Sequence, residues 1–181
     1  MDGIAQTIAG STPTGAASPQ GAQHAERLER LAEVAVKVGL GLRPGQELVI
    51  TAPLETVPLA RLITEQAYKA GASLVTTFYT DDAATLARFA YAPETAFDTA
   101  AGWLYSGMAE AYRNGAARLA IAGDDPSLLA GQDSAKVARA NRARSKAYVP
   151  ALELIANFST NWTIVSAATT PWARTVFPDL P

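Results

Sequence analysis

From Ala25 onward, apolar positions recur at three- and four-residue intervals: Leu28, Leu31, Ala32, Ala35 and Val38. That is the spacing of one buried helical stripe, and Glu26/Arg30 and Glu33/Lys37 add favourable charge pairs four residues apart. The period then changes. After a turn at Pro44-Gly45 comes "ELVIT" (Glu47 to Thr51), short, β-branched and nearly all apolar, which reads as a strand covered on both faces. A helix is expected from about Thr56, with Pro58 in its first turn, one stripe of Leu59, Leu62, Ile63, Gln66, Ala67 and Ala70, and a stop at Gly71. The strand "LVTTFYT" (Leu74 to Thr80) follows, then two helices over Asp82 to Tyr91 and Pro93 to Asn114. A third strand (Ala117 to Ala122), a turn at "GDDP", a helix from Ser134 towards Asn157, a fourth strand (Trp162 to Ala167) and a final helix start complete the series.

Strands that alternate with helices, and that are apolar along their whole length, belong in a parallel sheet sheathed by helices. With right-handed crossovers this predicts an α/β fold: a Rossmann-like, mostly parallel sheet of about four to five strands with helices on both faces. Residues 25–181 form that domain. Residues 1–24, rich in Ser, Thr, Pro, Gly and Ala, are expected to be a disordered tail, without the basic start and continuous apolar run of a secretory signal.

Composition narrows the function classes. The net charge of -2 provides no general attraction to nucleic acid or to an anionic membrane. No apolar run approaches the roughly 20 residues that span a bilayer. With no cysteine, a disulfide framework, a thiolate metal site and a cysteine nucleophile are excluded, and a cytoplasmic location is expected. The single histidine, His24, sits at the tail boundary, so a Ser-His-Asp triad or a multi-imidazole zinc site cannot be assembled from the predicted core. Gly39-Leu40-Gly41 follows a helix and precedes a strand, the reverse of a phosphate-cradling loop, and Pro44 occupies the third glycine position.

In a parallel sheet the loops at the carboxyl ends of the strands gather on one edge, where such folds bind ligands. Here they bring Glu55, Asp81, Asp82, Asp124, Asp125 and the run Ser166 to Thr170. This acidic rim could meet a cation, a metal or the ammonium group of a peptide. Alternatively, Asp82, Asp125 and Thr170 cap helices, the favoured reading because Asp125-Pro126 has the cap-then-proline order. Asp124 and Asp81 are then the candidates for the rim of a cavity. In "SAKVARANRARSKAY", Lys136, Arg139, Arg142 and Lys146 form a solvated basic face, whereas Arg144 falls on the apolar stripe with Val137, Ala140 and Tyr148. A guanidinium there needs a carboxylate partner, inside this domain or outside it.

The stretch from "LAEVAVKVGLGLRPGQELVITAPLETVPLARLITEQAYKAGASLVTTFYTDD", through "GDDPSLLAGQD" and "ARANRARSKAY", to "NWTIVSAATTPWARTVFPDLP" closely resembles the amino-terminal domain of the thermophilic aminopeptidase family, metallo-aminopeptidases of the aminopeptidase T, aminopeptidase S and PepS type. The resemblance runs from about Glu26 to Pro181. It implies a cytoplasmic, homodimeric hydrolase that removes amino-terminal residues from peptides with two divalent metal ions, of the cobalt, zinc, magnesium or manganese type. The metals are held by glutamates, histidines and an aspartate in a carboxyl-terminal domain, where they polarise the scissile carbonyl and acidify a bridging water. No residue of this chain matches those ligand positions. The expectation is therefore an amino-terminal domain that lacks the catalytic part, binds no metal and shows no turnover alone, with Arg144, Trp172 and Phe177 as interdomain contacts. A stand-alone Rossmann-like binding or interaction module is the alternative.

Overall fold

The computed structural model describes residues 19–179. Residues 1–18 of the expected tail lie outside the described residues, and residues 19–24 belong to the first helix, α1 (Pro19–Val34). Ion pairs four residues apart, Glu26–Arg30 at 2.6 Å and Glu33–Lys37 at 2.7 Å, lie along its exposed side. The helix widens into a π-helical turn, Ala35–Leu40, and ends where Gly41 takes φ +60, a left-handed conformation that suits glycine.

The remaining elements are β1 (Glu47–Pro53), α2 (Val57–Lys69), β2 (Leu74–Thr80), α3 (Asp82–Tyr91), α4 (Gly102–Arg113), β3 (Ala117–Ala122), α5 (Ser134–Ala156), β4 (Trp162–Ser166) and α6 (Thr170–Val176). Four strands form one parallel sheet in the order β2-β1-β3-β4. Side chains alternate across β1. Leu48, Ile50 and Ala52 join a core with Ala32 and Val36 of the first helical segment and Leu59, Ala60 and Ile63 of α2. Val49 points the other way, into a second cluster with Met108, Ala109 and Tyr112 of α4 and Ala151 and Ile155 of α5. Helices thus cover both faces, which is why the central strand β1 is buried on both sides.

The helix expected over Pro93 to Asn114 is instead divided into a 3-10 turn (Glu94–Asp98) and α4. Long-range contacts outcompete continuous helix here. Arg88 donates to the carbonyls of Ala96 (2.6 Å) and Thr99 (2.8 Å), and Thr99 is extended. Phe97 is fully buried, with Arg88 and Lys136 over its ring. Arg139 clamps the same segment through Asp98 at 2.6 Å and Glu94 at 3.0 Å, and Lys136 adds a 2.7 Å contact to Glu94. Two members of the basic face of α5 are therefore ion-paired rather than simply solvated.

The amino edge of the sheet is closed by polar side chains. Gln46, buried, donates to the carbonyl of Gly115 and to Asn161 Oδ1, both at 2.7 Å. Asn161 in turn donates to the carbonyl of Leu40 at 3.0 Å, and the Thr160 hydroxyl donates to that of Ala116 at 2.5 Å. These contacts tie the amino ends of β1, β3 and β4 together.

Candidate functional site at the carboxyl edge of the sheet

The chain leaves β1 towards β2 on one side, while β3 pairs with β1 on the other. The crevice beyond the carboxyl ends of β1 and β3 is therefore the topological switch point of the sheet, the usual ligand position in doubly wound folds. A cleft of about 360 Å³ lies there, lined by Pro53, Leu54 and Glu55 after β1, Thr80, Asp81 and Asp82 after β2, Gly123 after β3, and Pro171 of α6. A neighbouring depression of about 460 Å³ contains Gly123, Asp124, Ser166, Ala167 and Trp172.

The floor between them is fixed by close packing. A Cβ on Gly123 would lie 2.8 Å from Thr169 Cγ2 and 3.1 Å from the carbonyl oxygen of Ala167, so only glycine fits without displacement. The buried Thr169 hydroxyl donates to the Gly123 carbonyl at 2.7 Å, and buried Thr56 donates to that of Pro53 at 2.7 Å. Both threonines restrain loops at the cleft.

The carboxylates divide differently from the capping pattern expected from sequence. Asp81, rather than Asp82, caps α3, accepting from the N–H groups of Ala83 (2.8 Å) and Ala84 (3.2 Å). Asp82 is half-buried in the first turn, and its pKa is raised by burial and then by the negative charges of Asp124, Asp125, Glu55 and Asp81. Those five acidic groups therefore share one field. Asp125 caps no α-helix; it accepts from the Ser127 N–H at 2.8 Å and hydroxyl at 2.7 Å in a local turn. Before α5 the cap is Asp133, whose carboxyl is held below its usual range by the N–H groups of Lys136 and Ala135. The sequence "QDSAKV" carried that signal, an aspartate ahead of a helical run. Thr170 does not cap α6, because the preceding Thr169 holds the N-cap position and directs its hydroxyl to Gly123.

Arg144 is exposed rather than on the buried stripe, and the contact found for it is a 3.4 Å hydrogen bond to Asn141. The stripe runs through Tyr148, Ala151 and Ile155, and Arg139 takes the carboxylate partners. Trp172 and Phe177 are about half exposed, at 45% and 54%. Trp162 packs against the α4/α5 cluster, with its indole N–H buried and unpaired among the described residues, as is the Tyr112 hydroxyl, whose pKa burial raises. Among the described residues no group of three or more His, Cys, Asp or Glu side chains converges as metal ligands. The rim carboxylates do not fit a metal centre, because they are spread over separate loops and Asp81 and Asp125 are already engaged by N–H donors.

The fold and its carboxyl-edge cleft define a doubly wound α/β protein. The chain belongs to the thermophilic metalloprotease (M29) family, whose model matches residues 24–181. It is 54% identical over 154 residues to aminopeptidase T of Thermus thermophilus and 51% identical over 156 residues to aminopeptidase T of Thermus aquaticus. Aminopeptidase 2 of Geobacillus stearothermophilus is 38% identical over 155 residues. In structure the chain is similar to wild-type AmpT from Thermus thermophilus, with a TM-score of 0.84 over 86% of this chain and 39% of that one. The chain spans about 38% of the length of these curated relatives.

Proposed function

We propose that this chain is the non-catalytic, amino-terminal part of a metal-dependent aminopeptidase that removes amino-terminal residues from peptides. The observation that carries the reading is the match to aminopeptidase T, at 54% identity over 85% of this chain against 38% of that protein. The two divalent metal ions and their ligands belong to the part of the enzyme outside that match. The complete enzyme is a cytoplasmic homodimer in this reading.

This chain contributes position and charge. The acidic rim of the switch-point cleft, with Asp124 and Asp81 at its edge, favours the cationic amino terminus of an entering peptide over the distance that salt leaves unscreened, about 10 Å. Trp172 and Phe177, half exposed, and Arg144, whose guanidinium is turned outward, meet the metal-bearing part.

The test is a chimera in which this chain replaces the matching part of Thermus thermophilus aminopeptidase T, assayed on an aminoacyl-p-nitroanilide with cobalt or zinc. Turnover that chelation abolishes is expected of the chimera and none of the 181-residue chain alone. A folded chimera without turnover, or turnover by the isolated chain, overturns the reading.

A further inference from the structure

The chain carries four asparagines, and only Asn114 is followed by glycine. Asn114 is the C-cap of α4, and Gly115 comes next at φ +91, a conformation that suits glycine; both residues are exposed. The other three asparagines precede Arg142, Phe158 and Trp162, and the side chain of Asn161 is held by Leu40 and Gln46. The Asn114 side-chain amide has no hydrogen-bond partner among the described residues. An asparagine side chain is open to attack by the backbone nitrogen of the next residue, and a glycine there, without a Cβ, resists that approach least.

The reaction needs only water and hydroxide. The Gly115 nitrogen loses its proton to hydroxide and attacks Asn114 Cγ. The new C–N bond closes a five-membered succinimide, and the Cγ–Nδ2 bond breaks, with the nitrogen leaving as ammonia after it takes up a proton. Water then opens the ring at one of its two carbonyls. One opening gives aspartate, and the other gives isoaspartate, in which the main chain runs through the former side chain and is one carbon longer.

The fold holds this reaction back. Ring closure brings Asn114 Cβ and the Gly115 nitrogen together across the Cα–C bond, a rotation well away from the ψ of 6 at the cap. The Gly115 N–H is donated to the Tyr112 carbonyl at 3.0 Å, and the Gly115 carbonyl accepts from Gln46 Nε2 at 2.7 Å. Attack therefore waits for the cap to open, and the cap is tied to the network of Gln46 and Asn161. The product acts back on that network. The longer backbone of isoaspartate moves the Gly115 carbonyl off Gln46, and either product sets a carboxylate at the C-terminal end of α4, where the helix dipole disfavours it.

We propose that Asn114 is a site of spontaneous deamidation, gated by opening of the α4 cap, and that its isoaspartyl product unfastens the amino edge of the sheet.

The test is peptide mapping by mass spectrometry of the 181-residue chain kept at mildly alkaline pH, with backbone amide exchange measured on the same samples. Conversion at Asn114 is expected at least about tenfold faster than at Asn141, Asn157 or Asn161, and at least about tenfold slower than at Asn114 of the chain unfolded in urea. Gln46→Ala should speed it at least about threefold; should that variant not fold, urea below the unfolding transition should raise the conversion rate in step with Gly115 amide exchange. The isoaspartyl form, separated by ion exchange, should exchange the Arg118 amide at least about tenfold faster than the parent, whereas Asn114→Asp, which has the charge and a normal backbone, should stay close to the parent. Conversion no faster than at the other asparagines, a folded chain that reacts as fast as the unfolded one, a rate indifferent to both Gln46→Ala and urea, or an isoaspartyl form with parental exchange at Arg118 overturns the proposal.

Discussion

The two ends of the sheet solve opposite problems with similar residue types. At the amino edge, Gln46, Asn161 and Thr160 are spent on backbone carbonyls and on each other, at 2.5 to 3.0 Å, and Gln46 and Thr160 are buried. At the carboxyl edge, Thr56 and Thr169 tie down loops in the same way, while Glu55, Asp81 and Asp82 line one cleft and Asp124 the neighbouring depression. The amino edge satisfies the side-chain polar groups of Gln46, Asn161 and Thr160 with hydrogen bonds. At the carboxyl edge Asp81 and Asp125 accept from backbone N–H groups, whereas Asp82 is half-buried in the field of four other acidic groups, so that its charge opposes folding.

Breaking the amino edge should have the largest effect. Gln46→Ala leaves Asn161 and the Gly115 carbonyl short of partners in a buried setting and is expected to cost about 3 kcal/mol in urea unfolding. The double variant with Asn161→Ala should cost clearly less than the sum of the two single changes, since the pair is shared. Equal, additive losses would show that the network does not act as a unit.

At the carboxyl edge, steric and electrostatic contributions can be separated. Gly123→Ala drives a Cβ against Thr169 Cγ2 and should cost about 2 kcal/mol. Adding Thr169→Ser, which removes that methyl and keeps the hydroxyl, should recover about half of it. If it recovers nothing, the Ala167 carbonyl is the decisive obstacle.

The carboxylates themselves should divide in sign. Asp81→Ala removes the α3 cap and is expected to cost about 1 kcal/mol. Asp82→Asn should raise the melting temperature at neutral pH. Its pKa is raised in the folded state, so the ionised form disfavours folding. The gain should disappear as the pH falls through that raised value, where Asp82 is itself neutral. A loss of stability for Asp82→Asn at neutral pH would show that the charge is compensated.

The smallest effect belongs to the Arg139 clamp, away from both edges. Hydrogen bonds and ion pairs with Lys136 and Arg139 lower the pKa of Glu94, and those with Arg139 lower that of Asp98, so their contribution is present above the ordinary carboxylate range and is lost as pH falls through the lowered values. Asp98→Asn should lower the melting temperature slightly at neutral pH and low salt. The difference should shrink in 1 M salt and at acid pH, as differential scanning calorimetry would show.

Much of the architecture was legible from local pattern. The π segment was not, nor was the break in the segment expected to be one helix from Pro93 to Asn114. Ala, Leu, Met and Glu there favour helix locally, while the break is held by Arg88 and Arg139, residues outside the segment. The carboxyl-edge location of Asp81, Asp82 and Asp124 followed from topology. Their separate fates did not: α3 starts at Asp82 as expected, and it is the residue before it, Asp81, whose carboxylate meets the free N–H groups, while Asp82 already lies inside the first turn.

By itself the sequence determined the alternation of strands and helices, the parallel sheet and the family, because each rests on short-range periodicity or on several motifs in fixed order. Only the tertiary structure decided that Arg139 rather than Arg144 holds the carboxylates, that Gln46 and Asn161 meet, and that Gly123 is walled in by Thr169. Gln46 and Asn161 are 115 positions apart and Gly123 and Thr169 are 46 apart. Their energies depend on distances set by the closed sheet, which no local pattern encodes.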